Sequence, residues 1–137
     1  MIALDTNLLI YAHRVGVAEH RAARRAIETA SRDPRGWGIP LPCVAEFWSV
    51  VTHPRSLGGP STGGQALGFL RGLVDAGAAI WRPGEEFWGR LAQLAAHLAI
   101  QGPRAFDLQI ALTAFENGAT EIWTHDRNFA PFPGLRI

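Results

Sequence analysis

The chain contains no lysine; all 13 of its basic residues are arginine. That absence removes several chemistries at once, because phosphate loops ending in GK[ST] and Schiff-base enzymes both need a lysine amine. With abundant Ala, Gly and Pro, the all-arginine usage reads as the codon bias of a GC-rich bacterial genome. Only one cysteine is present, Cys43, which excludes an internal disulfide and a multi-cysteine zinc module. Set between Pro42 and Val44, that thiol reads as core filling. The five histidines, His13, His20, His53, His97 and His125, form no HxxxH-type pair, so no tetrahedral zinc set is apparent. No apolar stretch approaches the ~20 residues of a membrane span, and no basic start leads into a signal-type segment. The expectation is a cytoplasmic protein with no membrane partner. A net charge of +1 offers little steering toward nucleic acid.

What is present is enough apolar material, 47% of 137 residues, for one compact domain spanning residues 1–137. Ile2-Ala3-Leu4 reads as a short buried strand feeding a helix from about Leu8 to His13, with Asp5-Thr6-Asn7 as capping residues. Helical spacing recurs over about Val17–Ser31, Cys43–Thr52, the segment after Ser61 or Thr62 through Val74, Glu85–Ile100 and Asp107–Glu116. Gly38–Leu41, Ala78–Arg82 and Ile122–Thr124 read as strands, and Leu135–Ile137 as a last edge strand. Trp48 and Trp88, with helical neighbours, are expected to pack, and Trp37 to be exposed. Strands alternating with helices imply parallel pairing. The predicted class is α/β, a three-layer α/β/α sandwich with a short, mostly parallel central sheet.

Four of the twelve carboxylates stand where apolar segments end or helices begin: Asp5, Glu46, Asp107 and Asp126. Taken singly, Asp5 and Asp107 fit helix N-caps and Asp126 fits a turn, whereas Glu46 lies inside Val44-Ala45-Glu46-Phe47-Trp48 and needs a partner or exposure. In an open α/β sheet, functional groups gather beyond the carboxyl ends of the strands. Asp5 and Asp126 read as strand-end residues and Glu46 and Asp107 as near helix starts, so all four can meet on one edge. Such a cluster repels itself unless cations occupy it, and hard divalent ions such as Mg²⁺ or Mn²⁺ suit carboxylate oxygen. Thr6 and Asn7 are candidate supports for Asp5 or a metal-bound water and Thr124 for Asp126, and His125, Arg104 and Arg127 are candidate substrate contacts. With four acids drawn into one site, the remaining surface carries thirteen basic against eight acidic groups.

The segments LDTNLLIYA, PCVAEFWSVVTHPR, RAFDLQIALTAFENGA and IWTHDRNFAPFPGLRI occur in the order found in the PIN-domain ribonucleases, and the chain resembles in particular the VapC-type toxins of bacterial toxin–antitoxin pairs. The resemblance runs from Leu4 to Ile137. By position, Asp5, Glu46, Asp107 and Asp126 match the family's Mg²⁺- or Mn²⁺-binding acids, and Thr6 and Thr124 its supporting hydroxyls. The chain departs from the family by carrying Leu108-Gln109 after Asp107, where a further polar or acidic group is frequent. The resemblance implies a metal-dependent endoribonuclease acting on RNA, a homodimer, and a cognate VapB-like antitoxin partner. Two other readings compete: a non-catalytic PIN-like interaction module, and another metal-dependent phosphoesterase. A haloacid-dehalogenase-type phosphatase would need a second Asp two residues after Asp5, where this chain has Asn7.

Overall fold

Ile2–Leu4, whose three side chains are buried to 2% exposure or less, form strand β1 at the centre of the sheet. In a computed structural model of the protein, which describes all 137 residues, the order of elements alternates regularly. Helices α1 (Thr6–His13) and α2 (His20–Ser31) lead to β2 (Trp37–Pro40), and α3 (Leu41–Val51) and α4 (Gly63–Asp75) lead to β3 (Ala79–Trp81). Helices α5 (Phe87–His97) and α6 (Arg104–Glu116) precede β4 (Glu121–Trp123). The sheet order is β3-β2-β1-β4 and every pair is parallel. The central strands read as unbroken apolar runs because a parallel sheet is covered by helices on both faces. No helix is long and apolar enough to cross a membrane.

Element bounds shift from the sequence reading where backbone chemistry decides. Helix α3 starts at Leu41, because Pro42 falls in the first turn, where its missing N–H costs nothing. Helix α5 stops at His97, since Ala99 adopts a left-handed φ of 51° and Ile100 N donates back to Ala95 O. Thr62, rather than Ser61, caps α4, in a reciprocal capping box with Gln65. The expected edge strand at Leu135–Ile137 is a single bridge, Glu121 to Arg136, although Ile122 N and Thr120 O both bond to Arg136.

The tryptophan expectations fail in both directions. Trp37 is 3% exposed, because β2 is internal to the sheet and Trp37 pairs with Ile2. Trp48 is 39% exposed and Trp88 79%. In each case the preceding phenylalanine, Phe47 or Phe87, takes the inward position, and the next residue on a helix does not share that face.

Two devices fix the sheet. At Gly38 in β2, the Trp81 indole of β3 lies so close that an added Cβ would sit 2.5 Å from its Cε2 and 2.8 Å from Ala79 O. At the amino ends of the strands, Glu121 receives Arg136 at 2.6 Å, Arg35 at 3.3 Å and the Trp123 indole N–H at 3.1 Å. Arg35 also holds Asp33 at 2.7 Å. These donors pull the Glu121 carboxyl down from 4.5 to about 2, with Arg136 the largest cause.

Two outcomes follow from these contacts. Gly38→Ala should lower stability by about 1–3 kcal/mol in chemical denaturation, because neither the indole nor the backbone can retreat freely. Glu121 has a depressed folded-state pKa, so its stabilisation is complete above the unfolded value and fades as pH falls from 4.5 toward about 2. A Glu121→Gln variant should melt below the parent at neutral pH, and that gap should close over this acid range.

Candidate functional site

The strand order reverses direction between β1 and β4, and the crevice of an open α/β sheet lies at such a switch point, beyond the carboxyl ends of the strands. Asp5 follows β1 directly there, and Thr124 follows β4. Asp5 N donates to Trp123 O at 3.0 Å, extending the β1–β4 ladder by one step before the chain turns into α1. Asp5 is then the N-cap of α1, its Oδ1 accepting from Thr6 N at 2.7 Å.

The cap accounts for only one oxygen of that carboxylate. Oδ2 accepts from the Thr124 hydroxyl at 2.7 Å and from Asn7 Nδ2 at 3.2 Å. Asn7 Nδ2 also reaches Thr124 Oγ1 at 3.1 Å, and Asn7 Oδ1 accepts from His125 N at 3.0 Å. Asp5 is only 6% exposed. Burial raises its pKa; the bonds from Thr124 and Thr6 oppose that, and the nearby charges of Glu46 and Asp107 add to it.

Glu46 is the sixth residue of α3, two positions deeper than in the helix read from Cys43 onward. It is exposed, and it also has a partner: the Thr6 hydroxyl donates to its Oε2 at 2.8 Å, tying the start of α1 to α3. Thr6 therefore serves two acids, Asp5 through its N–H and Glu46 through its hydroxyl. Asp107 lies in the first turn of α6 but is not its cap, which is Pro103. Its Oδ2 accepts instead from Ala130 N at 3.2 Å, so the chain after β4 is bound to α6. Asp107 too is raised, by burial first and then by the charges of Asp126 and Glu46, while the Ala130 bond and the Arg104 charge act the other way.

Asp126 is not a strand-end residue. It lies in an exposed turn beyond β4, where Thr124 Oγ1 accepts from its N–H and its Oδ1 accepts from Asn128 N at 2.8 Å. The four acids thus form a row: Asp5 feels Glu46 and Asp107, and Asp107 feels Glu46 and Asp126. Asp126 joins the other three through Asp107 alone, and no three Asp, Glu, His or Cys side chains close into a metal-sized cage. The donor set nevertheless suits a hard divalent ion. All four side chains offer oxygen, each of Glu46, Asp107 and Asp126 keeps one oxygen without an internal hydrogen bond, and Glu46 and Asp126 are exposed. Cys43 is fully buried beneath Thr6, and burial, with the charges of Asp5 and Glu46, pushes its thiol far up, which leaves it inert.

At the rim, His125 is exposed and stands edge-on to Tyr11, with ring centroids 5.3 Å apart. Arg104 reaches Asn128 O at 3.5 Å, and Arg127 is exposed. Two contributors escape sequence reading. Tyr11 was signalled only by its place four residues after Asn7, one turn along α1. The Ala130 N–H carries no side-chain signature at all.

The fold and the site define a class. The PIN domain family model matches residues 2–135. Ribonuclease VapC43 of Mycobacterium tuberculosis is 36% identical over 137 residues, covering 99% of this chain and 92% of that protein. Ribonuclease VapC48 of the same species is 26% identical over 135 residues, covering 97% and 92%. Among solved structures, Mycobacterium tuberculosis VapC20, a Sarcin-Ricin loop cleaving toxin, superposes with a TM-score of 0.73 at 14% identity, each chain covered in full. VapBC2 from Rickettsia felis, bound to a DNA fragment from their promoter, gives a TM-score of 0.65 at 20% identity over 99% of this chain and 96% of that one. The chain belongs to the PIN-domain family, within its VapC ribonuclease branch.

Asp107→Asn keeps an oxygen for the Ala130 N–H and removes one charge from the row. A carboxyl whose folded pKa is raised costs stability once pH exceeds its unfolded value of 3.8. In metal-free buffer the variant should therefore melt above the parent at neutral pH, and the two should converge as pH falls below 3.8.

Proposed function

We propose that the protein is a Mg²⁺- or Mn²⁺-dependent endoribonuclease, the toxin of a toxin–antitoxin pair, with Asp5, Glu46, Asp107 and Asp126 as its metal-binding and catalytic acids. The observation that carries the reading is the buried Asp5 carboxylate at the β1–β4 switch point, held by three donors and set within charge range of Glu46 and Asp107. Kinship to ribonucleases such as VapC43 supports the reaction class.

When bound, a divalent ion supplies positive charge opposite the scissile phosphate and acidifies water. Asp5, with both oxygens oriented by Thr6, Asn7 and Thr124, provides the ligand of fixed direction. Asp107, anchored by Ala130, provides the second, and Asp126 closes the outer side of the row. Glu46, exposed and with Oε1 free, takes up the proton of the attacking water. Arg104, Arg127 and His125 at the rim bind substrate phosphates. The protein acts in the cytoplasm as a homodimer, and a VapB-like antitoxin restrains it.

Purified, antitoxin-free protein should cut RNA with Mg²⁺ or Mn²⁺ and stop on chelation. Asp5→Asn should lower the cleavage rate by more than about 100-fold with its fold intact, as expected for loss of several kcal/mol of charge stabilisation. Thr6→Val, which removes only the hydroxyl on Glu46, should cost roughly 10- to 100-fold. Calorimetric titration should show stoichiometric Mn²⁺ uptake. Undiminished cleavage by Asp5→Asn, or by wild type in chelator, would sink the assignment, and absence of Mn²⁺ binding would favour a non-catalytic interaction module.

A further inference from the structure

Beside the acidic row, helices α3 and α6 leave a groove of about 400 Å³. Its walls are Pro42, Ala45 and Glu46 from α3 and Phe106, Gln109 and Ile110 from α6. Both sets repeat at the same helical spacing, so each wall is one stripe of its helix. Phe106 is 65% exposed, an apolar ring held in water on the α6 wall of the groove that Glu46 lines from α3. The facing wall on α3 carries the short side chains of Pro42 and Ala45. Gln109 gives its backbone carbonyl to the Thr113 hydroxyl while its side-chain amide, a donor and an acceptor, has no partner in the protein.

We infer that this groove is a nucleobase subsite: an unpaired base next to the scissile phosphate stacks on Phe106, and Gln109 hydrogen-bonds its edge. The inference rests on the ribonuclease reading and deepens it. Single-stranded RNA is recognised by such means, with bases splayed out, stacked on aromatic rings and read along their exposed edges. A nucleobase fits the groove itself, because Phe106 and Gln109, on one stripe of α6, set an exposed ring beside an unpartnered amide. The groove also opens onto Glu46, so its occupant is continuous with whatever occupies the acidic row.

The test uses a short, unstructured, fluorescein-labelled RNA pool of mixed sequence, bound to the catalytically disabled Asp5→Asn protein and followed by anisotropy. Adding Phe106→Ala should weaken binding by roughly 10- to 100-fold, the loss of one stacked base. Phe106→Leu should lose as much, because it keeps apolar bulk but no π-face, and Phe106→Trp should bind as the parent does. Melting temperatures of the three should match the parent, as the ring is exposed. In otherwise wild-type enzyme, Gln109→Leu should change the base found at the cleaved ends. If the parent binds RNA and the Ala and Leu variants bind it equally well, the subsite is overturned, the ribonuclease reading stands, and the groove is left to a protein partner. If wild type cuts no RNA and the parent binds none, both fall together.

Discussion

Burial of the Asp5 carboxylate is the constraint around which the other parts arrange themselves. A carboxylate at 6% exposure must have its oxygens satisfied, and the three donors come from separate places: the first residue of α1, the side chain of Asn7, and a hydroxyl beyond β4. Meeting that need joins the first strand of the chain to the last. Thr6 then passes the connection to α3 through Glu46, and Thr124 passes it to the turn of Asp126. The same bonds that satisfy a buried charge therefore set the geometry of four acids drawn from four elements.

Paired charges and crowded acids occupy opposite ends of the sheet. At the amino ends of the strands, Glu121 sits between two guanidiniums and an indole N–H, so like charges are kept apart and opposite charges are paired. At the carboxyl ends, negative groups crowd without a single arginine bonded to any of the four acids, and Asp5 and Asp107 are both pushed upward. A protein that needed only to be stable would not assemble the second end as it does.

How far the sequence could be read depended on whether the signal was local. The alternation of elements, a mostly parallel sheet and the roles of Thr6 and Asn7 at Asp5 were legible because caps, glycine stops and apolar runs act over a few residues, as at Asn117-Gly118, where Gly118 takes a φ of 89° and Ala119 N returns to Ala114 O; Thr124, read as a support of Asp126, donates its hydroxyl to Asp5 instead. Convergence of the acids was legible only through the general rule for open sheets. What stayed hidden needs the third dimension. Which of Phe47 and Trp48, or Phe87 and Trp88, turns inward depends on what the helix packs against, and Trp37 is buried because β2 lies inside the sheet. Asp107 resembled a cap, and its actual partner is a backbone N–H 23 residues away. Asp126 resembled a strand end because its distance beyond Trp123 depends on a turn closed by its own carboxylate.

The site spans almost the full length of the chain, from Asp5 to Ala130. On a ribosome the N-terminal carboxylate emerges first and waits for more than a hundred residues before Thr124 exists to bond it. Until then β1 lacks its β4 neighbour, Asp107 lacks the Ala130 N–H, and the acids have no common frame. Whatever this row of carboxylates does to other molecules, a nascent or truncated chain cannot do it. The common frame of the acids depends on the chain being made and folded at least as far as Ala130.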